Sequence, residues 1–174
     1  PSLQVLYSES IFDHCCALLG AAQESVCLAQ YTIDDAYEIP LSAVLQRFHE
    51  RRMEDRVRIV IDQGQMTNPS CSLQRRAIVG WLAWGAKVRQ KKGRTDSRYA
   101  IQHEKTWLVD DAVFVCGSAN ATKNSTQNCV EVVISTRVRT LVEAQRVHFE
   151  ELWSLAHPVL EADVVAADSK VQSA

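Results

Sequence analysis

Five side chains in the second half of the chain have the types and spacing expected of a phosphate site. His103 and Lys105 are two positions apart, so a strand here would place the imidazole and the ammonium on one face. The imidazole can attack phosphorus while the ammonium offsets oxyanion charge. Ser118 and Asn120 add neutral donors for the non-bridging oxygens. Glu131 can accept a hydrogen bond from the second imidazole nitrogen and so orient the ring.

A basic stretch leads up to this group. The segment from Lys87 to Lys105 is rich in lysine and arginine, and only Asp96 and Glu104 oppose these charges. Such a segment is either a seat for a phosphate-bearing ligand or a solvated basic loop. The chain as a whole has a net charge of −2, which is not typical of a nucleic-acid binder. The candidate side chains for contacts to a substrate backbone are Lys91, Lys92, Arg94 and Arg98.

The cysteines do not form a recognisable framework. There are six, without a CxxC pair, which does not suggest a set of disulfides and favours a reducing compartment. One group with zinc-ligand residue types lies near the start of the chain, but two of its cysteines are adjacent, which is poor spacing for a tetrahedral site. We therefore predict no metal and no cofactor. That group comprises His14, Cys15, Cys16 and Cys27.

Helical and strand patterns alternate along the chain, which favours a layered α/β domain. We predict a single domain over residues 1–157, followed by a tail over 158–174 that frays. Asp110 and Asp111 are expected to form a two-residue turn between adjacent strands. The predicted helices cover residues 8–23, 41–53, 73–84 and 138–156, and the predicted strands cover 25–33, 57–62, a short run from 88, 105–109, 112–116 and 129–135.

The arrangement of these residues resembles the signature of the phospholipase D superfamily. That signature is HxK, four residues, an aspartate, a GSxN element and a downstream glutamate. The runs 28–35, 57–62 and 149–153 also resemble the family's first strand, second strand and closing helix, so the resemblance covers roughly residues 5 to 155. The matching motif residues are His103, Lys105, Asp110, Gly117, Ser118, Asn120 and Glu131.

The resemblance implies a fold, a mechanism and a set of roles. The fold is an α/β/α sandwich around a mixed β-sheet. His103 would be the nucleophile and form a phosphohistidine, with Glu131 orienting its ring and no metal required. Asp110 would belong to the catalytic group and organise it by hydrogen bonding. The phosphate would be bound by Lys105, Ser118 and Asn120.

A single copy of the motif implies a homodimer. In-line displacement needs a nucleophile and an acid on opposite sides of phosphorus, so a second motif has to come from another subunit. Single-motif members of the family include small bacterial endonucleases and a mitochondrial branch of cardiolipin hydrolases and small-RNA nucleases. Animal members of that branch carry a Cys/His zinc element near the start, which this sequence does not match. The histidines outside the motif are His14, His49, His148 and His157.

Three functions remain as alternatives. The first is a nuclease on single-stranded nucleic acid, with Tyr99 and Trp107 as candidates for base stacking. The second is a phospholipase acting on an anionic lipid such as cardiolipin, brought to its membrane by a segment outside these 174 residues. The third is an inactive module that keeps the phosphate site. For the location, a reducing intracellular compartment is favoured, and association with mitochondria is the alternative.

Overall fold

The molecule is built around one mixed β-sheet. The computed structural model describes residues 2–95, 97 and 99–172. Within these residues the sheet has eight strands: β1 (Leu3–Tyr7), β2 (Val26–Gln30), β3 (Val57–Asp62), β4 (Lys87–Lys91), β5 (Lys105–Val109), β6 (Val113–Gly117), β7 (Val132–Thr136) and β8 (His157–Pro158). Their spatial order is β1-β7-β6-β5-β2-β3-β4-β8.

Helices cover both faces of this sheet. They are α1 (Glu9–Ala21), α2 (Glu38–Glu50), α3 (Gln63–Met66), α4 (Ser72–Ala83), α5 (Lys123–Gln127), α6 (Arg139–Leu155) and α7 (Glu161–Gln172). The larger core lies between the sheet and α1, α2 and α4, with α7 packed beside α4. A smaller core on the opposite face is formed with α6. The predicted α/β/α sandwich around a mixed sheet is therefore confirmed.

The direction of the central strands brings several chain segments to one edge of the sheet. β2, β3 and β4 are parallel, whereas β5 runs antiparallel to β2. The register pairs Gln30, the last residue of β2, with Lys105, the first residue of β5. The segment before β5 therefore lies beside the carboxyl ends of β2 and β3, the edge where ligands usually bind in α/β sheets.

Most predicted elements are present, and the differences have local causes. β3 and β5 have the predicted bounds, whereas β1 and α5 were not expected. α5 begins at a capping contact in which the Thr122 hydroxyl accepts from the Ser125 N–H at 3.2 Å. The β5–β6 turn is longer than the predicted two residues, because Val109 pairs with Val113. Its Asp110 has a φ of 56°, a conformation that aspartate tolerates better than most residues.

The end of the chain differs from the expected frayed tail. Residues 161–172 form α7, whose Val164 and Ala167 are buried three positions apart on one helical face. The Arg75 side chain, 1% exposed on α4, forms an ion pair with Asp168 of α7. Small apolar residues among polar ones give only a weak helical signal in the sequence. The packing of this segment against α4 therefore stabilises the helix. Residues 173 and 174 lie outside the described part of the chain.

An apolar strip of the sheet is left uncovered at the β1 edge. Val5 pairs with Ile134 and Tyr7 with Val132, so these side chains share one face of β1 and β7. All of them are more than 40% exposed, which is unusual for a cluster of large apolar side chains. We call this cluster the edge patch; it comprises Leu3, Val5, Tyr7, Val132 and Ile134. Over the described residues, none of the helices has the length and hydropathy of a membrane span.

Candidate active site

His103 lies just before β5, and hydrogen bonds of its two neighbours hold it in place. The Gln102 N–H donates to Asp62 Oδ1 at 2.8 Å, and the Glu104 carbonyl accepts from the Tyr31 N–H at 2.9 Å. Asp62 is 1% exposed at the end of β3, so its carboxylate is a fixed acceptor. His103 itself is exposed, and its imidazole is therefore presented at the surface from a firmly held backbone.

Lys105 is the first residue of β5 and is half-buried beside His103. Its Nζ donates to the His103 carbonyl at 2.8 Å and lies 5.4 Å from the centre of the Tyr31 ring. Burial lowers the pKa of the Lys105 ammonium, and the nearby Glu131 charge partly opposes that shift. The Lys105 ammonium thus lies against the His103 backbone and beside the Tyr31 ring, and His103 precedes the strand rather than lying within it.

Ser118 and Glu131 form a contact across the ends of β6 and β7. The Ser118 hydroxyl donates to Glu131 Oε2, and the Ser118 N–H donates to the Val132 carbonyl at 3.0 Å. Gly117 allows this close approach, because a Cβ at that position would lie 2.3 Å from the Val132 oxygen. The sequence predicts that Glu131 orients His103. In the residues described, its carboxylate accepts from Ser118, and no hydrogen bond joins it to His103.

The loop that carries Asn120 is fixed by a buried glutamine that the sequence analysis did not identify. Gln30, fully buried at the end of β2, accepts from the Ala121 N–H at 3.1 Å through Oε1. Its Nε2 donates to the Thr106 carbonyl at 3.3 Å. The Ala121 carbonyl accepts from the Asp34 N–H at 3.0 Å. These contacts place the Asn120 loop beside the last residue of β2 and the first residues of β5.

Asp110 is not part of this group. It follows β5 at the end opposite to His103, and the five-residue strand between them is itself about 17 Å long. Its carboxylate accepts hydrogen bonds from the N–H groups of Gln23, Glu24 and Ser25 at 2.7–3.1 Å. The structure therefore places Asp110 as an anchor for the connection between α1 and β2.

The side chains of the basic stretch lie in different environments. The Lys91 ammonium donates to the carbonyls of Lys92 and Gly93 at 2.9 and 3.0 Å, and so closes the start of its own loop. Arg94 is exposed. Arg98 lies outside the described residues. The role of Lys91, Lys92, Arg94 and Arg98 in contacting a substrate backbone remains a proposal.

The two aromatic residues considered for base stacking lie in different environments. Trp107 is 4% exposed and packs against Tyr37 with ring centres 5.0 Å apart, so it belongs to the core. Tyr99 is 76% exposed. Two of the cysteines considered for zinc lie on opposite faces of the sheet. Cys15 of α1 belongs to the larger core, and Cys27 belongs to the smaller core beside α6.

The aromatic residue that does contact the histidine was not predicted. The Tyr31 ring lies 4.8 Å from the His103 ring, centre to centre. Its hydroxyl accepts from Gln65 Nε2 at 2.7 Å. In the sequence, the signal for such supporting residues is a polar residue at the end of a buried strand. Gln30 and Asp62 share that feature, because each is the last residue of a largely buried strand at the carboxyl edge.

Comparison with known proteins agrees with this geometry. Residues 15–153 match the family model described as cardiolipin synthase, PLD-like domain. The chain belongs to the phospholipase D-like family. The mitochondrial cardiolipin hydrolase of Xenopus tropicalis is 29% identical over 154 residues, which are 87% of this chain. This phospholipase D-like chain spans 65% of that relative's length.

Solved structures of similar proteins share the fold. The phospholipase D family member Nuc from Salmonella typhimurium has a TM-score of 0.74 and 25% identity, with 91% of this chain and 97% of that chain covered. NucT from Helicobacter pylori has a TM-score of 0.71 and 18% identity, with 90% and 98% covered. Both therefore align over nearly their whole length with this phospholipase D-like domain.

The position of Asp110 predicts a structural role. Asp110→Asn should lower the free energy of unfolding by about 1–2 kcal/mol, because charge-assisted bonds to three backbone N–H groups are weakened. Asp111→Asn, a matched control at a neighbouring exposed residue with positive φ, should change it by less than about 0.5 kcal/mol. Urea denaturation measures both. Equal stability of the two variants would contradict the anchoring role.

Proposed function

We propose that this phospholipase D-like protein is a homodimeric phosphodiesterase that cleaves single-stranded nucleic acid through a phosphohistidine at His103. The observation that carries the proposal is the arrangement of one exposed imidazole, the Lys105 ammonium and the Ser118 hydroxyl at the same edge of the sheet. The Lys105 ammonium supplies the positive charge that an anion needs at this position, and the Ser118 O–H, which here donates to Glu131, would turn to the phosphate.

In the first step, the His103 imidazole attacks phosphorus and the bond to the leaving oxygen breaks. Lys105, Ser118 and Asn120 hold the non-bridging oxygens, so the negative charge that develops is met by an ammonium and two neutral donors. The leaving oxygen takes a proton from an acid on the opposite side of phosphorus. The product of this step is a phosphohistidine and a free hydroxyl.

In the second step, water attacks the same phosphorus atom. The group that gave its proton to the leaving oxygen now takes a proton from this water, and the phosphorus–nitrogen bond breaks. The His103 imidazole is released unchanged, and the second product is a phosphate monoester. Both steps need an acid–base group opposite to His103.

A second subunit supplies that group in our proposal. The histidines outside the motif have other partners: the His14 ring bonds to the Ser135 hydroxyl at 2.9 Å, and the His148 ring bonds at 2.8 Å to Glu104, the residue between His103 and Lys105. His103 of the partner subunit is therefore the proposed acid. A two-fold axis near the exposed His103 side chains would bring two identical motifs together.

The edge patch is the surface that we propose for this contact. It begins beside the phosphate-binding residues, because Val132 directly follows Glu131 and its N–H donates to Ser118 Oγ at 3.1 Å. Val130, on the other side of Glu131, is 99% exposed. A self-complementary contact of these apolar residues would bury them and bring the two sites close to each other.

The surroundings of the site favour nucleic acid as the substrate. The His103 ring is exposed rather than placed at the base of an apolar channel, which a lipid with long acyl chains would require. Near the Asn120 loop there is a cleft of about 240 Å³ that is lined by both polar and apolar residues. The polar members of its lining are Thr32, Asp34, Ser70, Gln74, Thr122 and Asn124.

Hydrolysis of an anionic phospholipid is the second candidate. It is favoured by the 29% identity to the cardiolipin hydrolase of Xenopus tropicalis. The same catalytic residues would serve either substrate, because both contain a phosphodiester. The two functions therefore differ in what surrounds the phosphate rather than in the chemistry at His103.

A nuclease assay in excess EDTA tests the proposed function. The protein should cleave labelled single-stranded DNA or RNA, and His103→Asn should lower the rate by roughly 1,000-fold or more because the nucleophile is lost. His49→Asn, a surface histidine on α2, is the matched control and should retain activity. Release of phosphatidic acid from cardiolipin vesicles, with nucleic acid intact, would favour the second candidate. Absence of turnover on all phosphodiesters would leave an inactive phosphate-binding module.

The proposed dimer predicts the effect of a charge in the edge patch. Ile134→Lys should give a monomer in analytical ultracentrifugation and lower activity at least roughly tenfold, because the second histidine is lost from the site. Val147→Lys places the same charge at an exposed apolar residue of α6 and should leave both properties unchanged. A fully active Ile134→Lys monomer would contradict the requirement for two subunits.

A further inference from the structure

The His103 imidazole has an aromatic neighbour that belongs to a different strand. The Tyr31 ring, directly after β2, is 4.8 Å from the imidazole between ring centres, and the two planes are inclined by 59°. The same ring lies 5.4 Å from the Lys105 ammonium. Tyr31 therefore contacts both members of the HxK motif, whereas the Glu131 carboxylate accepts from Ser118.

The position of Tyr31 is fixed at its backbone and at its hydroxyl. Its N–H donates to the Glu104 carbonyl at 2.9 Å, between the two motif residues. Its hydroxyl accepts from Gln65 Nε2 at 2.7 Å. Burial and the neighbouring Asp62 and Cys71 raise the pKa of the Tyr31 phenol, so it stays neutral at ordinary pH. A ring fixed at its backbone and at its hydroxyl limits the positions that the neighbouring imidazole can adopt.

The orientation of the Gln65 amide is itself determined by its neighbours. Its Oε1 accepts from Asn68 Nδ2 at 2.9 Å and from the Cys71 thiol at 3.2 Å. With two donors at the oxygen, the nitrogen has to point to Tyr31. Gln65 is only 7% exposed, so this arrangement is not open to exchange with solvent.

The segment that carries Gln65 is held in place by hydrogen bonds from α4. Arg75 donates through Nη1 to the carbonyls of Met66 and Asn68 at 3.1 and 2.9 Å. Arg75 also forms the ion pair with Asp168 of α7. A continuous set of contacts therefore runs from α7 through Arg75 and Gln65 to the Tyr31 ring, and from there to His103.

We propose that Tyr31 is a positioning residue for His103, and that Gln65 sets the position of Tyr31. The ring restricts the imidazole to the direction of attack, and its π-face lies close enough to favour the positive charge that the imidazole gains on bonding to phosphorus. The catalytic part of this inference rests on the proposed function, whereas the ring contact itself does not depend on it.

Kinetics of three variants test the positioning role. Tyr31→Leu removes the ring and should lower kcat by roughly 10- to 100-fold with KM changed less than about threefold, because the imidazole is misdirected while phosphate binding is kept. Tyr31→Phe keeps the ring but loses the hydrogen bond to Gln65, so kcat should fall by about three- to fivefold, clearly less than in Tyr31→Leu. Gln65→Met removes the same hydrogen bond and should resemble Tyr31→Phe. Equal losses in Tyr31→Phe and Tyr31→Leu would overturn the inference, because the hydroxyl rather than the ring would then be the group that matters.

A substrate-free measurement separates this inference from the proposed function. Proton NMR of the imidazole signals, with His103 assigned by the His103→Asn variant, should show the His103 resonances displaced in Tyr31→Leu by the loss of the ring current. The signals of His49 and His157 should not move, which also reports that the variant is folded. Unmoved His103 signals would overturn the inference even in an active nuclease. Moved signals in a protein that cleaves no phosphodiester would overturn the proposed function alone.

Discussion

The position of His103 depends on hydrogen bonds between the ends of three neighbouring strands. β5 is antiparallel to β2, so the residues that enter β5 meet the residues that leave β2 and β3. The Tyr31 N–H donates to the carbonyl of Glu104, which follows His103. The Asp62 carboxylate accepts from the N–H of Gln102, which precedes His103. The histidine is thereby held at a surface without being buried, which allows it to be both rigid and accessible.

The other groups of the candidate site lie at the same edge of the sheet. Gln30 at the end of β2 fixes the loop that carries Asn120, and the close contact at Gly117 brings Ser118 to Glu131. These positions are set by backbone pairing and by buried amide and carboxylate groups. Such groups are costly to leave unsatisfied, so each of their hydrogen bonds limits the geometry of the site.

Sequence patterns predicted the elements whose signal is local. The β3 and β5 strands were identified from short apolar runs, and His103 and Lys105 from their spacing. The place of Asp110 was not predictable, because its partners at residues 23–25 are 85 or more positions away in the chain. The contact between Tyr31 and His103 was not predictable for the same reason, because the two residues are also far apart in the chain. α7 was missed because its helical face appears only when α4 is beside it.

The sequence contains a single HxK motif, and the edge patch on β1 and β7 is exposed in one subunit. The symmetric dimer that we propose would account for both features, because a contact that covers the apolar residues would also bring in the motif of the partner subunit.

The stereochemical course at phosphorus tests the phosphohistidine mechanism most directly. A chiral phosphorothioate version of whichever diester the protein hydrolyses would be cleaved in water labelled with oxygen-18, and the configuration of the thiophosphate product determined. Two successive in-line displacements, the first by His103 and the second by water, predict overall retention. Inversion would mean that water attacks the substrate directly, and would contradict the covalent role of His103.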